Sequence, residues 1–181
     1  FTYTFAYNPP SPYQFGTTVY DSNTTDMFGA NAYFYENHNQ QWLFFGISRN
    51  KATGLVFRKV YTTSTLINAY TGSTNTNGMR DGGAPVNFYV GCGRGRGVQA
   101  TYRSHINALG YWNRALTPSE IIAVWNGGAG LSYANLTSGQ KTNLTAWYDC
   151  DALNGSNGIN DKHTNGYNLT KYNTNISIVS V

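Results

Sequence analysis

The chain has 181 residues, a formal net charge of +4 and only 11% charged residues, against a usual share of about 25%. That length suits one sandwich-sized domain, and a mild basic excess without any block of like charges argues against a nucleic-acid binder. No stretch approaches the roughly 20 apolar residues of a membrane span, and 15% aromatic residues, 15 of them Tyr, leave a neutral surface suited to glycans, to neighbouring subunits or simply to solvent.

In chain order, residues 1–8 alternate Phe1, Tyr3, Phe5 and Tyr7 with smaller residues and read as a strand closed by Pro9-Pro10. Beginning on that strand, the sequence is expected to be a processed product or part of something longer. Gln14 to Tyr20 and Met27 to Tyr35 read as strands separated by a turn at Asp21-Ser22-Asn23. Trp42 to Asn50 is an apolar strand, Lys51 to Gly54 a turn and Leu55 to Tyr61 the returning strand, with both flat faces expected to be covered. Leu66 to Tyr70 continues as a strand, and Thr71 to Pro85 reads as a long polar loop carrying Arg80 and Asp81. Val86 to Val90 and Val98 to Tyr102 are further strands around the turn Gly91 to Gly97, and Ser104 to Trp112 is a late strand.

The best specified stretch is Gly110 to Gly130. Thr117 is an N-cap, Pro118 takes the first helical position and Glu120 completes a T-P-S-E capping box. Leu116 and Ile121 form the matching hydrophobic staple, while Ile121, Val124 and Trp125 share one face before Asn126-Gly127-Gly128 stops the helix. So short a helix cannot stand alone, and its apolar face must cover something.

The run G-Y-W-N-R-A-L-T-P-S-E-I resembles the late segment of the laminin-G-like, concanavalin A-like jelly rolls. The strand at Phe1 and the hairpin from Trp42 to Tyr61 are similar to strands of the same family. Asn143 to Asp151, Asp161 and Gly166 to Thr170 resemble that family's opening, displaced to the end of the chain. The resemblance implies an all-β, two-sheet antiparallel jelly-roll sandwich with one short helix near 117–126. It implies a core over 1–130, a connector over 131–142, and a segment 143–181 that is permuted, opens a next repeat or is exchanged with a neighbouring subunit.

A fold of this kind does not fix an activity. Hydrolysis of a glycan needs two carboxyl groups roughly 5–9 Å apart. The chain has only two Glu: Glu36 falls in a polar turn and Glu120 is used in capping. Asp149 and Asp151 share a strand face by the period-two rule but lie in the family's opening turn rather than a catalytic strand, so the reading is non-catalytic, with a glycoside hydrolase as the lesser alternative. His38, His105 and His163 share no metal or triad spacing.

The resemblance also implies a candidate calcium site at Asp149, Asp151 and Asp161, although Asn107 and Ala108 stand where the family commonly has acids in the late strand. Turn-forming Asp residues without a metal are the plainer reading. Candidate glycan contacts are Arg80, Asp81, Asn87 and Tyr102, with Tyr13 and Tyr20 as further aromatic platforms. Arg94, Arg96 and Arg103 could hold an anion, against the plainer reading of a Gly-rich turn. Cys92 and Cys150 are either one disulfide or two buried thiols. Sequons at Asn23, Asn135, Asn143, Asn154, Asn168 and Asn175 are candidate N-glycosylation sites wherever the chain meets a glycosylating compartment.

These features lead to the expectation of an extracellular, cell-surface or virion-surface module. Its expected role is glycan attachment or assembly of a larger fibre or shell, with other copies of itself, neighbouring subunits and glycans as partners. A purely structural self-assembling subunit is the alternative.

Overall fold

The computed structural model of the chain describes residues 2–6, 13–20, 26–34, 42–73, 106–155 and 158–170. The described residues are mostly β, every ladder is antiparallel, and the chain divides into two compact units, Phe1–Ser104 and His105–Val181. None of its helices is long and apolar enough to cross a membrane, among the described residues.

The first unit holds two three-stranded sheets. In one, β1 (Thr2–Ala6), β2 (Tyr13–Tyr20) and β3 (Asp26–Phe34) lie in sequence order, with a register shift at Val19/Tyr20. In the other, β4 (Phe44–Arg49), β5 (Leu55–Tyr61) and β6 (Leu66–Ser73) do the same. The Lys51–Gly54 turn forms because Asn50 Oδ1 accepts from the N–H groups of Ala52 (2.9 Å) and Thr53 (3.3 Å), and Gly54 takes a φ of 70°. Thr62 Oγ1 performs the same service at the next turn for the Thr65 N–H (3.0 Å).

Along β5 burial alternates: Val56, Arg58 and Val60 are almost fully covered while Leu55, Phe57 and Lys59 are half-buried. Val60 centres a cluster with Leu43, Phe45 and Ile67. Gly46 and Ser48 of β4, opposite Lys59 and Phe57, are also buried, so both faces of this sheet are covered in part, as its two-sided apolar pattern leads one to expect. Strand β6 runs on to Ser73, past the expected end at Tyr70, because Thr71, Gly72 and Ser73 pair with Phe57, Val56 and Leu55.

In the second unit β7 (Leu109–Trp112) pairs with β8 (Leu144–Tyr148). The late strand is shorter than the expected 104–112, since Ile106, Asn107 and Ala108 are exposed and outside the ladder. Helix α1 (Pro118–Trp125) follows, with Thr117 as N-cap, a complete capping box, and Ile121 and Val124 buried. Asn126 ends it in the left-handed conformation at φ 52°.

The stretch expected as a plain connector carries a 3-10 turn at Tyr133–Asn135 and a single turn α2 (Ser138–Lys141), itself opened by a Thr137/Gln140 capping box. Gly130 therefore lies well inside the second unit, and the segment resembling an opening strand pairs with the late strand of its own chain.

Candidate functional site

Three stretches of the second unit converge on an open cleft of about 290 Å³. Asn107 and Ala108 come from the approach to β7, Ala129, Leu131 and Ser132 from the segment after α1, and Asp149 and Asp151 from the segment after β8. The late-strand positions and the acidic turn thus meet, although they stand about forty residues apart in sequence.

The position of Asp149 is fixed from beneath. Its Oδ1 accepts from the Tyr133 N–H (2.8 Å) and from Trp147 Nε1 (2.6 Å), and Trp147 is only 2% exposed. Trp147 also stands edge-on to Trp112 at 5.9 Å, and Trp112 Nε1 donates to the Gln140 carbonyl at 2.7 Å. Gly110 pairs with Trp147 across the ladder, where a Cβ would collide with both indoles. Asp149 therefore rests on a buried indole that packs edge-on against a second.

Strand β8 ends at Tyr148 and Cys150 has φ 55°, so Asp149 and Asp151 do not share a strand face as the period-two rule predicts. The left-handed residue between them breaks the alternation and still brings both to one cleft. Asp151 pairs with Lys162 at 3.3 Å.

Cys150 carries a free thiol that burial, then Asp149 and Asp151, push up to about 11. Tyr148 is pushed up to about 12, first by burial and then by Asp161 and Cys150, and its hydroxyl donates to the Tyr167 carbonyl at 2.6 Å.

Asp161 does not line the cleft. Its Oδ1 accepts from the N–H groups of Trp147 and His163, both at 2.9 Å, and its Oδ2 from the Tyr167 N–H at 3.1 Å. Both oxygens are thus used to hold backbone. The three carboxylates expected as calcium ligands are not gathered, and no group of three or more His, Cys, Asp or Glu could hold a metal among the described residues. Tyr133 closes a ring back to this carboxylate, with its hydroxyl 3.0 Å from His163 Nδ1 and Lys141 over its face at 4.4 Å.

Other expected residues fall apart from the cleft. Glu120 caps the helix, accepting from the Thr117 N–H at 2.8 Å, and pairs with Arg114 at 2.8 Å. Arg114 and then the Thr117 N–H hold its carboxyl down to about 2. Among the sequons, Asn135, Asn143 and Asn168 are exposed, although Asn168 Oδ1 accepts from the Asp161 N–H (2.9 Å), and the half-buried Asn154 donates to Asn160 Oδ1 (3.1 Å) and accepts from the Gly158 N–H (2.9 Å). Arg80, Asp81, Asn87, Tyr102, Cys92, Asn23 and Asn175 lie outside the described residues, as do Glu36, His38, His105, Arg94, Arg96 and Arg103.

Sequence reasoning missed Ala129, Leu131 and Ser132, which carry no motif. The Thr137/Gln140 capping box that fixes the neighbouring turn was readable, because it has the same T-x-x-E/Q form as the box of α1. No protein-family model, no curated protein and no solved structure matches the chain.

Proposed function

We propose that this chain is a non-catalytic, concanavalin A-like jelly-roll module, in which its sheets close into a two-layer sandwich, acting on an extracellular or virion surface to attach to glycans. The observation that carries this reading is the cleft bounded by Asn107, Ser132, Asp149, Asp151 and the apolar Ala108, Ala129 and Leu131. Amide, hydroxyl and carboxylate groups beside apolar carbon suit the hydroxyls and C–H faces of a sugar.

Asp149 already accepts from two N–H donors and Asp151 pairs with Lys162, which supports binding over glycoside hydrolysis, where two carboxyl groups face one another across a scissile bond. Retention of the chain on immobilised oligosaccharides without release of reducing ends is the expected result. Release of reducing ends that disappears in Asp149→Asn or Asp151→Asn would overturn the non-catalytic part.

A second reading, a self-assembling structural subunit, is supported by the sparsely charged, Tyr-rich composition, which suits neighbouring subunits as well as glycans. Native mass measurement of the intact chain and of one truncated after Gly130 separates the readings. Because β8 pairs with β7 of the same chain, truncation is expected to unfold residues 105–130. A truncated chain that stays folded and monomeric while the intact one assembles would establish the building block instead.

A further inference from the structure

We infer that the cleft takes one neutral, hydroxyl-rich sugar residue at the end of a glycan and rejects sialylated or sulfated ends; this rests on the attachment reading above. Its size comes first. At about 290 Å³ the space lies at the lower end of the range of roughly 300–1,000 Å³ for small-molecule sites, which suits one ring rather than a chain of them.

Its chemistry comes second. Two carboxylates accept hydroxyl protons, and the Asn107 amide and Ser132 hydroxyl each donate and accept, so that a polyol finds both kinds of partner. Ala108, Ala129 and Leu131 offer carbon surface for the C–H face of the ring.

The charge of the wall decides between ligand classes. No Lys, Arg or His is among the described residues that line the cleft. Lys162 reaches Asp151 from outside the lining, and Arg114 is engaged with Glu120, the Thr142 carbonyl (3.0 Å) and the Gly139 carbonyl (3.5 Å). An anionic sugar would place its charge beside Asp149 with no guanidinium or ammonium among the described lining residues to receive it, the Lys162 ammonium at the rim being paired with Asp151, and like charges at contact repel strongly where solvent is partly excluded. A neutral residue meets no such barrier. Because Tyr133 and Trp147 already orient Asp149, little ordering of that acceptor remains to be done on binding.

The test is an array of immobilised oligosaccharides ending in galactose, glucose, mannose or N-acetylhexosamine, beside the same backbones capped with sialic acid or sulfate. It is read with the intact chain and with two variants. Ala108→Trp fills the cleft from an exposed position, and Asn107→Leu removes the amide at similar size. Retention on at least one neutral end, a loss of about tenfold or more on capping, and a similar loss in either variant that keeps the parent's circular dichroism are expected, tenfold being the change for one well-made polar contact.

Preference for the capped glycans overturns the inference. So does neutral binding that neither variant weakens, which would place attachment elsewhere and leave the module a glycan binder. No retention on any glycan sinks this inference and the attachment reading together. Should Ala108→Trp fail to fold, Asn107→Leu alone decides.

Discussion

The β4–β6 sheet and the β7–β8 ribbon are both short antiparallel ladders, yet they keep their strands in place by different means. In the first, Val56 and Val60 are fully buried, and Asn50 and Thr62 bond backbone within the two turns. In the second, polar side chains reach across the unit to backbone far away in sequence. Trp112 bonds the Gln140 carbonyl, Arg114 the Thr142 carbonyl, Asn165 the Thr145 carbonyl and Tyr148 the Tyr167 carbonyl. A sheet with three strands distributes its stability over apolar area, whereas a two-stranded ribbon is marginal by itself and depends on a few fixed points. The difference matters for the cleft, because its walls are loops held by those points rather than strands held by a ladder.

The contrast breaks most sharply at Asp161. Asp161→Ala leaves the N–H groups of Trp147, His163 and Tyr167 without their acceptor, and hydrogen bonds to a charged group are worth roughly 1.5–3 kcal/mol apiece without simple additivity. A loss of at least about 3 kcal/mol is expected in urea unfolding followed by tryptophan fluorescence. Asp161→Asn should cost less, since an amide oxygen can still serve one side of the carboxylate's partners. A loss below about 1 kcal/mol for the alanine variant would mean that the ribbon is not held by this carboxylate.

In the sheet the corresponding change is apolar. Val60→Ala removes two methyl carbons from a fully buried site beside Leu43, Phe45 and Ile67, for an expected cost of about 2 kcal/mol from transfer plus cavity. Here no single polar substitution in the turns should match it. Asn50→Ala, which deletes two exposed turn bonds, is expected to cost less than half as much in the same urea titration.

How much of each part was legible in the sequence follows the same division. The hairpin pattern identifies β5 from Leu55 to Tyr61 to the residue, because the turn at Lys51 to Gly54 marks where the returning strand begins. Capping chemistry identifies α1 equally well, because Thr117, Pro118 and Glu120 act on backbone within one turn. The cleft was half legible. Asp149, Asp151, Asn107 and Ala108 were noticed as matching positions, but their meeting depends on the left-handed Cys150 and on the loop through Ser132, neither of which any spacing rule encodes. Asp161 was legible as an acid in a turn and not as a backbone clamp, since the partners of a carboxylate are fixed only once the chain is folded.

The helix cap tests the local end of this scale. Thr117→Ala removes an acceptor from the Glu120 N–H and is expected to cost about 1 kcal/mol, the usual value for an N-cap. The reciprocal arm of the box is pH dependent. The Glu120 carboxyl is held down to about 2, below its unfolded value, first by the hydrogen bond from Arg114 and then by the Thr117 N–H. Its contribution is therefore present above the unfolded value near 4.5 and is lost as pH falls towards 2. Glu120→Gln should lower stability at pH 6 and flatten the fall in stability between pH 4.5 and pH 2. An unchanged slope in that window would assign the acid sensitivity to other carboxylates.

The smallest effect is expected at the rim of the cleft itself. Lys162 and Asp151 pair at 3.3 Å with both side chains well exposed, 36% and 58%, and exposed pairs of this kind contribute from nothing to about 1 kcal/mol. Lys162→Met should therefore leave the urea midpoint nearly unmoved, in contrast to Asp161→Ala a single residue away. The comparison is informative because the two positions are neighbours in sequence and differ only in what their side chains hold: Lys162 holds an exposed carboxylate, whereas Asp161 holds three backbone N–H groups. If Lys162→Met proved as costly as the Asp161 variant, the Lys162–Asp151 pair would be holding the segment 161–163, because the backbone bond from the Lys162 N–H to the Trp147 carbonyl (2.7 Å) survives both substitutions and cannot account for the loss.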